Sequence, residues 1–329
     1  MTAAPIFIVG SPRSGTTLLS RILDRHPAVA ICGETHFNRL VYLRRKAFGD
    51  LSDLANRRRL IAEYMSSRHI RRAGLDTAEF AERLSRESTG YRAMFAAILS
   101  YYAETQGKPR CGEKTPQHAF FLKTLCEWFP NAVILHMIRD PRSVVASLQR
   151  AVWSPGSVVI NARTWLKHSR AVRLFRGRPG YLEVRYEALV TDPVNELRRI
   201  CDLMGEEYSP LMLQPETVFT ENTKASRRSL AAVTSERLDV WRSELTAAQV
   251  GQIEWVVGPE LESFGYMRSA ARASAFSVLR GVSYAAFDYG RFVTARLPAV
   301  WYRFGAQTKI AKFERWADPK SLRRGAKRP

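Results

Sequence analysis

Cysteine is scarce, and none of the four (Cys32, Cys111, Cys126, Cys201) forms a C-x-x-C pair or sits in a histidine-rich stretch. That excludes the usual zinc-ligand patterns, so no metal is expected, and it makes reduced thiols in a reducing compartment the default. Long hydrophobic runs are also missing: no stretch reaches the roughly 18 apolar residues of a bilayer span. Only four residues precede Pro5 and the strand that follows it, with no basic and apolar leader, so the expected location is cytoplasmic. Acid is in short supply, 31 Asp and Glu against 51 Lys and Arg, for a net charge of +20. Such an excess implies an acidic ligand, substrate or surface without choosing among them. No recognised nucleic-acid motif accompanies the charge, so nucleic acid is not expected as a partner.

What is present is organised around P-I-F-I-V-G-S-P-R-S-G-T-T, from Pro5 to Thr17. It reads as a buried strand (Ile6 to Val9), a turn carrying Gly10 and Pro12, and a helix opening near Gly15. Gly10 and Gly15 stand at the two glycine positions of G-x-x-x-x-G-K-[ST], and Thr17 at its Ser/Thr position. The lysine position holds Thr16. In triphosphatases that lysine reaches the β- and γ-phosphates, so its absence turns the loop away from ATP while leaving the anion-binding backbone in place. Arg13 is the cation here.

With 46% hydrophobic residues over 329 positions, the chain can bury a large core, and the order of its segments reads as α/β. A P-loop-like parallel sheet flanked by helices is expected. Apolar positions at helical spacing follow the loop as far as His26-Pro27, and Ala28 to Cys32 reads as a second strand leading into Gly33-Glu34-Thr35-His36. Residues 37–102 read as an arginine-rich helical cap. C-G-E-K-T-P-Q-H (Cys111 to His118) is a second stretch with catalytic residue types, followed by a helix from Ala119 to Phe129. The apolar run Ala132 to Ile138 reads as a buried parallel strand. It ends on Arg139-Asp140-Pro141-Arg142, ahead of a helix from Ser143 to Arg150 that tolerates Pro141 in its first turn. Helices over Val158 to Phe175 and Pro193 to Met204, a strand over Tyr181 to Tyr186, a basic loop over Glu221 to Leu230 and last helices over Trp241 to Tyr266 complete the body.

Residues 267–329 differ in composition. They hold 14 Lys and Arg against three acids, supply +11 of the +20, and include ten aromatics. Leu279, Val282, Ala286, Tyr289, Val293, Leu297, Val300 and Phe304 recur at spacings of three and four, an apolar stripe on a basic helix with Pro298 as a kink point. The stripe suits either an anionic membrane surface, which would make the protein peripheral, or packing on the body or a second subunit. On this reading 1–266 form one domain and 267–329 a basic C-terminal helical extension.

S-P-R-S-G-T-T-L-L and I-R-D-P-R-S-V-V-A-S together resemble the 5′-phosphosulfate loop and the 3′-phosphate motif of the sulfotransferase family. G-E-K-T-P, V-R-Y-E-A-L-V-T-D-P, W-R-S-E-L and F-G-Y extend the resemblance in order from Pro5 to Tyr266. The chain is most similar to the bacterial type that also resembles tyrosylprotein and glycan sulfotransferases. The resemblance implies 3′-phosphoadenosine 5′-phosphosulfate (PAPS) as donor and a hydroxyl or amine acceptor. It implies that Arg13 meets the phosphosulfate, with Ser14, Gly15, Thr16 and Thr17 offering backbone and hydroxyl donors. Arg139 and Ser147 match the 3′-phosphate pair, and Tyr186 a position near the adenine, or else a core tyrosine closing the sheet. Arg227 or Arg228, beside Lys224, would close over the 3′-phosphate. Glu34, 21 residues after Arg13, matches the catalytic base, a role that a pKa raised by partial burial would favour. Its other reading is a structural carboxylate paired with Lys114 or Arg13. Lys114 matches the lysine that stabilises the leaving oxygen. His36 and His118 are alternative bases or structural residues, and Cys32 and Cys111 are candidates for proximity.

The extension has no counterpart in the family motifs. A lipid, glycolipid or other membrane-presented acceptor would suit it, whereas a soluble glycan or small alcohol would not need it. Two readings outside the family are a P-loop kinase of nucleotides or small molecules, disfavoured by Thr16, and a basic membrane-surface adaptor without catalysis.

Overall fold

Five parallel strands form one sheet in the order β2-β3-β1-β4-β5: β1 (Ile6–Gly10), β2 (Val29–Cys32), β3 (Arg110–Lys114), β4 (Val133–Ile138) and β5 (Tyr181–Arg185). This computed structural model describes residues 4–154, 156–214, 238–271 and 283. β1 lies at the centre, with Ile8 beside Lys114 of β3 on one side and Leu135 of β4 on the other. From β1 the chain crosses to β2, and from β3 it crosses the other way to β4. The carboxyl ends of β1 and β4 therefore flank the point where connections diverge, which is where open parallel sheets bind ligands.

The alternation of β1 explains the layers. Phe7 and Val9 point to one face, Ile6 and Ile8 to the other, and both sets are buried. The connection from β1 to β2 is α1 (Thr16–Asp24). Between β2 and β3 come α2 (Phe37–Leu40), α3 (Arg45–Phe48), α4 (Leu54–Met65), α5 (Arg68–Arg72), α6 (Ala78–Glu87) and α7 (Tyr91–Thr105). Phe37, Leu60 and Phe95 from this group join Phe7 in one core, with Phe95 stacked 6.0 Å from Phe7 and 4.8 Å from Phe37. A 3₁₀ turn over Pro116–Phe121 and α8 (Leu122–Trp128) lead to β4; α9 (Pro141–Gln149) and α10 (Val158–Arg173) lead to β5. α11 (Tyr186–Thr191) and α12 (Pro193–Met204) follow. Their Leu189, Leu197 and Ile200 join Ile6, Ile8 and the α1 residues Leu19 and Ile22 in the second core. α13 (Trp241–Glu244), α14 (Ala247–Val257) and α15 (Glu260–Ser263) come next.

Two compact units divide the chain. The first, Met1–Arg139 with Lys167–Leu238, contains the sheet; the second takes in Asp140–Leu166 and the chain from Asp239 onward. In the second unit Arg142 is buried, 2.6 Å from Asp140 and 3.0 Å from Glu254 of α14, with its guanidinium 4.2 Å above the Trp241 ring. The partners on every side make this a satisfied buried cation.

Sequence periodicity locates β1, β2, β4, β5 and α12, but it misses β3. Arg-Cys-Gly-Glu-Lys has no apolar run, yet all five residues are buried. Each charge has a partner there: Arg110 meets the Met204 carbonyl and Glu206, Glu113 meets Thr35, Thr115 and His118, and Lys114 meets Glu34 and Thr17. The helix expected from Ala119 opens earlier, as a 3₁₀ turn at Pro116. The basic loop with Lys224, Arg227 and Arg228 lies outside the described residues, as does the extension after Ala271 apart from Ser283. No helix among the described residues is long and apolar enough to cross a membrane.

Candidate active site

At the carboxyl end of β1 the chain must turn through Gly10, Ser11, Pro12, Arg13 and Ser14 into α1. Gly10 has φ +150, and a Cβ there would stand 2.4 Å from the Met137 carbonyl oxygen of β4. A side chain would push the strand and the loop apart. Gly10→Ala should cost about 1–3 kcal/mol of stability, the usual range for overpacking, read as a lowered denaturation midpoint. Gly15, with φ +103, is the residue before α1, and a Cβ there would stand 2.6 Å from the Tyr186 ring.

The loop is closed by its own atoms: the Ser14 N–H and hydroxyl both donate to the Ser11 carbonyl, at 3.2 and 2.6 Å. The Ser14 hydroxyl, expected to face the ligand, is thereby used in the loop, and Ser14 is fully buried. Arg13 holds a left-handed φ of +71. No side chain caps α1 and its first turn carries no acid, so the partial positive charge of the helix start suits an anion. Thr16 is buried, while Thr17 is exposed on the first turn.

Three further elements converge on this loop within the first unit. Arg139, one residue past β4, donates to the Arg13 carbonyl at 3.5 Å, and its guanidinium stacks 4.0 Å over the Tyr186 ring. Tyr186 opens α11 at the end of β5, where its ring meets Gly15; it is buried but belongs to the loop's surroundings as well as to the core. Lys114, at the end of β3, spans the gap to β2: its Nζ donates to Thr17 Oγ1 at 3.2 Å and to Glu34 Oε1 at 2.6 Å. Ser147 is buried on α9, in the second unit.

Glu34 is half-buried and its second oxygen accepts from His36 Nε2 at 3.1 Å. Burial alone would raise its pKa. The His36 hydrogen bond and the Lys114 charge outweigh burial and bring it down to about 2. The rise that would favour a base is therefore absent: Glu34 is an ionised carboxylate held between two donors. His36, one of the alternative bases, is a partner of Glu34, in a left-handed conformation with φ +49. His118, the other, is buried with Nδ1 2.6 Å from Glu113 Oε2. All four cysteines are free, so Cys32 and Cys111 form no bridge. No group of residues suited to a metal ion occurs among the described residues.

Sequence reasoning passed over Glu113, the residue before Lys114. Its fully buried carboxylate receives Thr35 and Thr115 hydroxyls at 2.5 and 2.6 Å. The available signal was a charged residue inside a segment already singled out.

An uncapped helix start after a glycine-bounded turn, at the divergence point of a parallel sheet and ringed by Arg13, Lys114 and Arg139, belongs to an α/β protein of P-loop-like fold. The chain belongs to the sulfotransferase family, whose model matches residues 5–210. Nodulation protein NoeE of Sinorhizobium fredii is 26% identical to it, over 97% of this chain and 74% of that protein. A putative protein-tyrosine sulfotransferase of Caenorhabditis briggsae is 27% identical, over 81% of this chain and 90% of the relative. Among solved structures, the sulfotransferase domain of the Synechococcus PCC 7002 olefin synthase superposes with a TM-score of 0.59 at 23% identity, over 80% of this chain and 96% of that domain. The sulfotransferase domain of the curacin biosynthetic pathway gives 0.55 at 20% identity, over 81% and 99%. These structural likenesses show the shared fold.

Proposed function

We propose that this protein moves a sulfonate from PAPS to a hydroxyl or amine acceptor. The observation that carries the reading is the position of Lys114, whose ammonium touches both the first turn of the phosphate-loop helix and the Glu34 carboxylate. Lys114 thus lies between the helix start and the Glu34 carboxylate. Family membership supports the donor, and the uncapped α1 terminus with Thr16 in place of lysine fits a phosphosulfate better than a triphosphate.

In this reading Arg13 and the backbone of Gly15, Thr16 and Thr17 hold the 5′-phosphosulfate. Arg139 holds the 3′-phosphate, and Tyr186 packs near the adenine. The acceptor oxygen attacks sulfur as its proton passes to Glu34. The bond from sulfur to the bridging oxygen breaks, and the electron pair stays on the 5′-phosphate, where Lys114 offsets the new charge. Lys114 cannot fully serve Glu34 and the bridging oxygen at once. Donor binding draws it toward the oxygen, and Glu34 becomes more basic as its counter-charge leaves.

Transfer of label from ³⁵S-PAPS, together with retention on immobilised adenosine 3′,5′-bisphosphate, tests the donor. Absence of any affinity for that nucleotide, or stable ATP-Mg²⁺ binding in its place, would overturn the reading. For the acceptor, the names of the relatives suggest protein tyrosine, and the basic, aromatic composition of 267–329 suggests one presented at a membrane, such as a lipid or glycolipid. Full-length protein should then float with vesicles containing anionic lipid, and a chain ending at Tyr266 should not. Equal flotation of both would remove the membrane part of the proposal.

A further inference from the structure

We propose that Glu113 is a positioning residue for the transfer reaction, holding Glu34 and Lys114 in register by anchoring Thr35. The inference rests on the reading of Glu34 and Lys114 given above. Glu34 and Lys114 come from chain segments 80 residues apart, at the ends of β2 and β3, and each is followed by a threonine. Glu113 joins the two segments from inside the protein. It is fully buried in β3, paired in register with Cys32 on one side and Phe7 on the other. Its Oε1 accepts three hydrogen bonds: from the Thr35 N–H at 3.0 Å, the Thr35 hydroxyl at 2.5 Å and the Thr115 hydroxyl at 2.6 Å. Its Oε2 lies 2.6 Å from His118 Nδ1.

Thr35 is consequently held on every polar atom. Its hydroxyl oxygen accepts from the Phe37 N–H at 3.2 Å, and its carbonyl accepts from the Tyr64 hydroxyl of α4 at 3.1 Å. A residue fixed in this way fixes its neighbours. Glu34 precedes it, and His36, whose left-handed φ of +49 is costly for a non-glycine residue, follows it. That conformation brings His36 Nε2 to Glu34 Oε2, while the other oxygen meets Lys114. Both contacts of Glu34 thus depend on the turn that Glu113 anchors, and Lys114 is the residue directly after Glu113.

Stability alone gives a weak reason for this carboxylate. Burying an ionised group costs several kcal/mol, and apolar replacements of buried ion pairs are often neutral or stabilising. Its placement is better explained by geometry, because displacement of reacting groups by about 1 Å can cost about 10²-fold in rate. Burial opposes ionisation of Glu113, but His118 and the threonine donors outweigh it and hold the carboxyl below its usual range. The other titratable neighbours, Cys32 and Tyr64, are pushed up by burial and stay neutral.

The test uses full-length Glu113→Gln, Thr35→Val and Thr35→Ser, with two independent readouts. In kinetics, Glu113→Gln and Thr35→Val should each lower kcat about 10- to 100-fold, with affinity for adenosine 3′,5′-bisphosphate close to wild type. The double variant should be no slower than the worse single one, since both break the same link, and Thr35→Ser should retain the wild-type rate. The second readout needs no turnover: the ¹³C resonance of the Glu34 carboxyl, facing Lys114 and His36 with His69 behind the His36 ring, is followed against pH. It should titrate near 2 in wild type and higher in both Glu113→Gln and Thr35→Val. Wild-type kcat with an unmoved Glu34 titration in these variants overturns the inference, as does an equal fall of kcat and of nucleotide affinity. A wild-type protein that transfers no sulfonate overturns the proposed reaction, while the carboxyl titration still decides whether Glu113 sets the Glu34 turn.

Discussion

Glu34→Gln should lower kcat for sulfonate transfer by about 10²- to 10⁴-fold, the span of general base contributions, while affinity for adenosine 3′,5′-bisphosphate stays within about twofold. Glutamine has the size of glutamate, and its carbonyl oxygen can still accept from Lys114 Nζ, so the separation of 2.6 Å need not change. What is lost is the negative charge and the ability to take a proton. A loss confined to kcat assigns Glu34 to the chemical step. A variant that transfers at the wild-type rate assigns the proton elsewhere, and His36, 3.1 Å from the Glu34 carboxylate, is then the next carrier to substitute.

Lys114→Met should cost about 10²- to 10³-fold in kcat, the scale for losing one stabiliser of developing negative charge. Methionine fills much of the space of the lysine stem, which is needed because the Lys114 side chain is only 8% exposed. The same substitution carries a pH signature. Glu34 is held at about 2, below its usual 4.5, and Lys114 and His36 are the partners that lower it. With Lys114 gone the pKa rises, so a larger share of Glu34 is protonated at mildly acid pH. The acid limb of the pH-rate profile should therefore move to higher pH. Linkage gives the same sign for stability: a carboxyl whose pKa is depressed on folding contributes fully above about 4.5 and loses that contribution as pH falls toward 2. In Lys114→Met this window should narrow, measured as a smaller decline of the denaturation midpoint between those pH values. An unchanged acid limb would show that Lys114 does not set the charge of Glu34.

The low pKa also bears on the order of events. A carboxylate held near 2 is ionised but weakly basic, and proton transfer is most efficient when the pKa lies near the working pH. Lys114 can release it only by finding another anion. The 5′-phosphosulfate, bound at the first turn of α1 where Thr17 already meets Lys114, would supply one. On the proposed mechanism the base gains strength only once the donor is in place.

Much of this site can be read from one stretch of chain at a time. Pro5 to Thr17 shows a strand, a turn and a helix start because apolar run, glycine positions and first-turn threonines are contiguous, and the structure places β1 and α1 there. Thr16 in the lysine position separates this loop from triphosphatases without any knowledge of neighbours. The apolar run ending on Arg139 and the amphipathic Pro193–Met204 helix are legible for the same reason: local periodicity reports which face is buried. Tertiary structure alone decided the rest. β3 is invisible to periodicity because its three charges are buried against partners from distant segments, and burial of charge is tolerable only once those partners are present. The order β2-β3-β1-β4-β5 sets Glu34 against Lys114 and Arg139 against Tyr186, because parallel pairing joins segments far apart in sequence. The direction of the Glu34 shift belongs to that level too, since burial and two donors act oppositely and only their distances show which prevails.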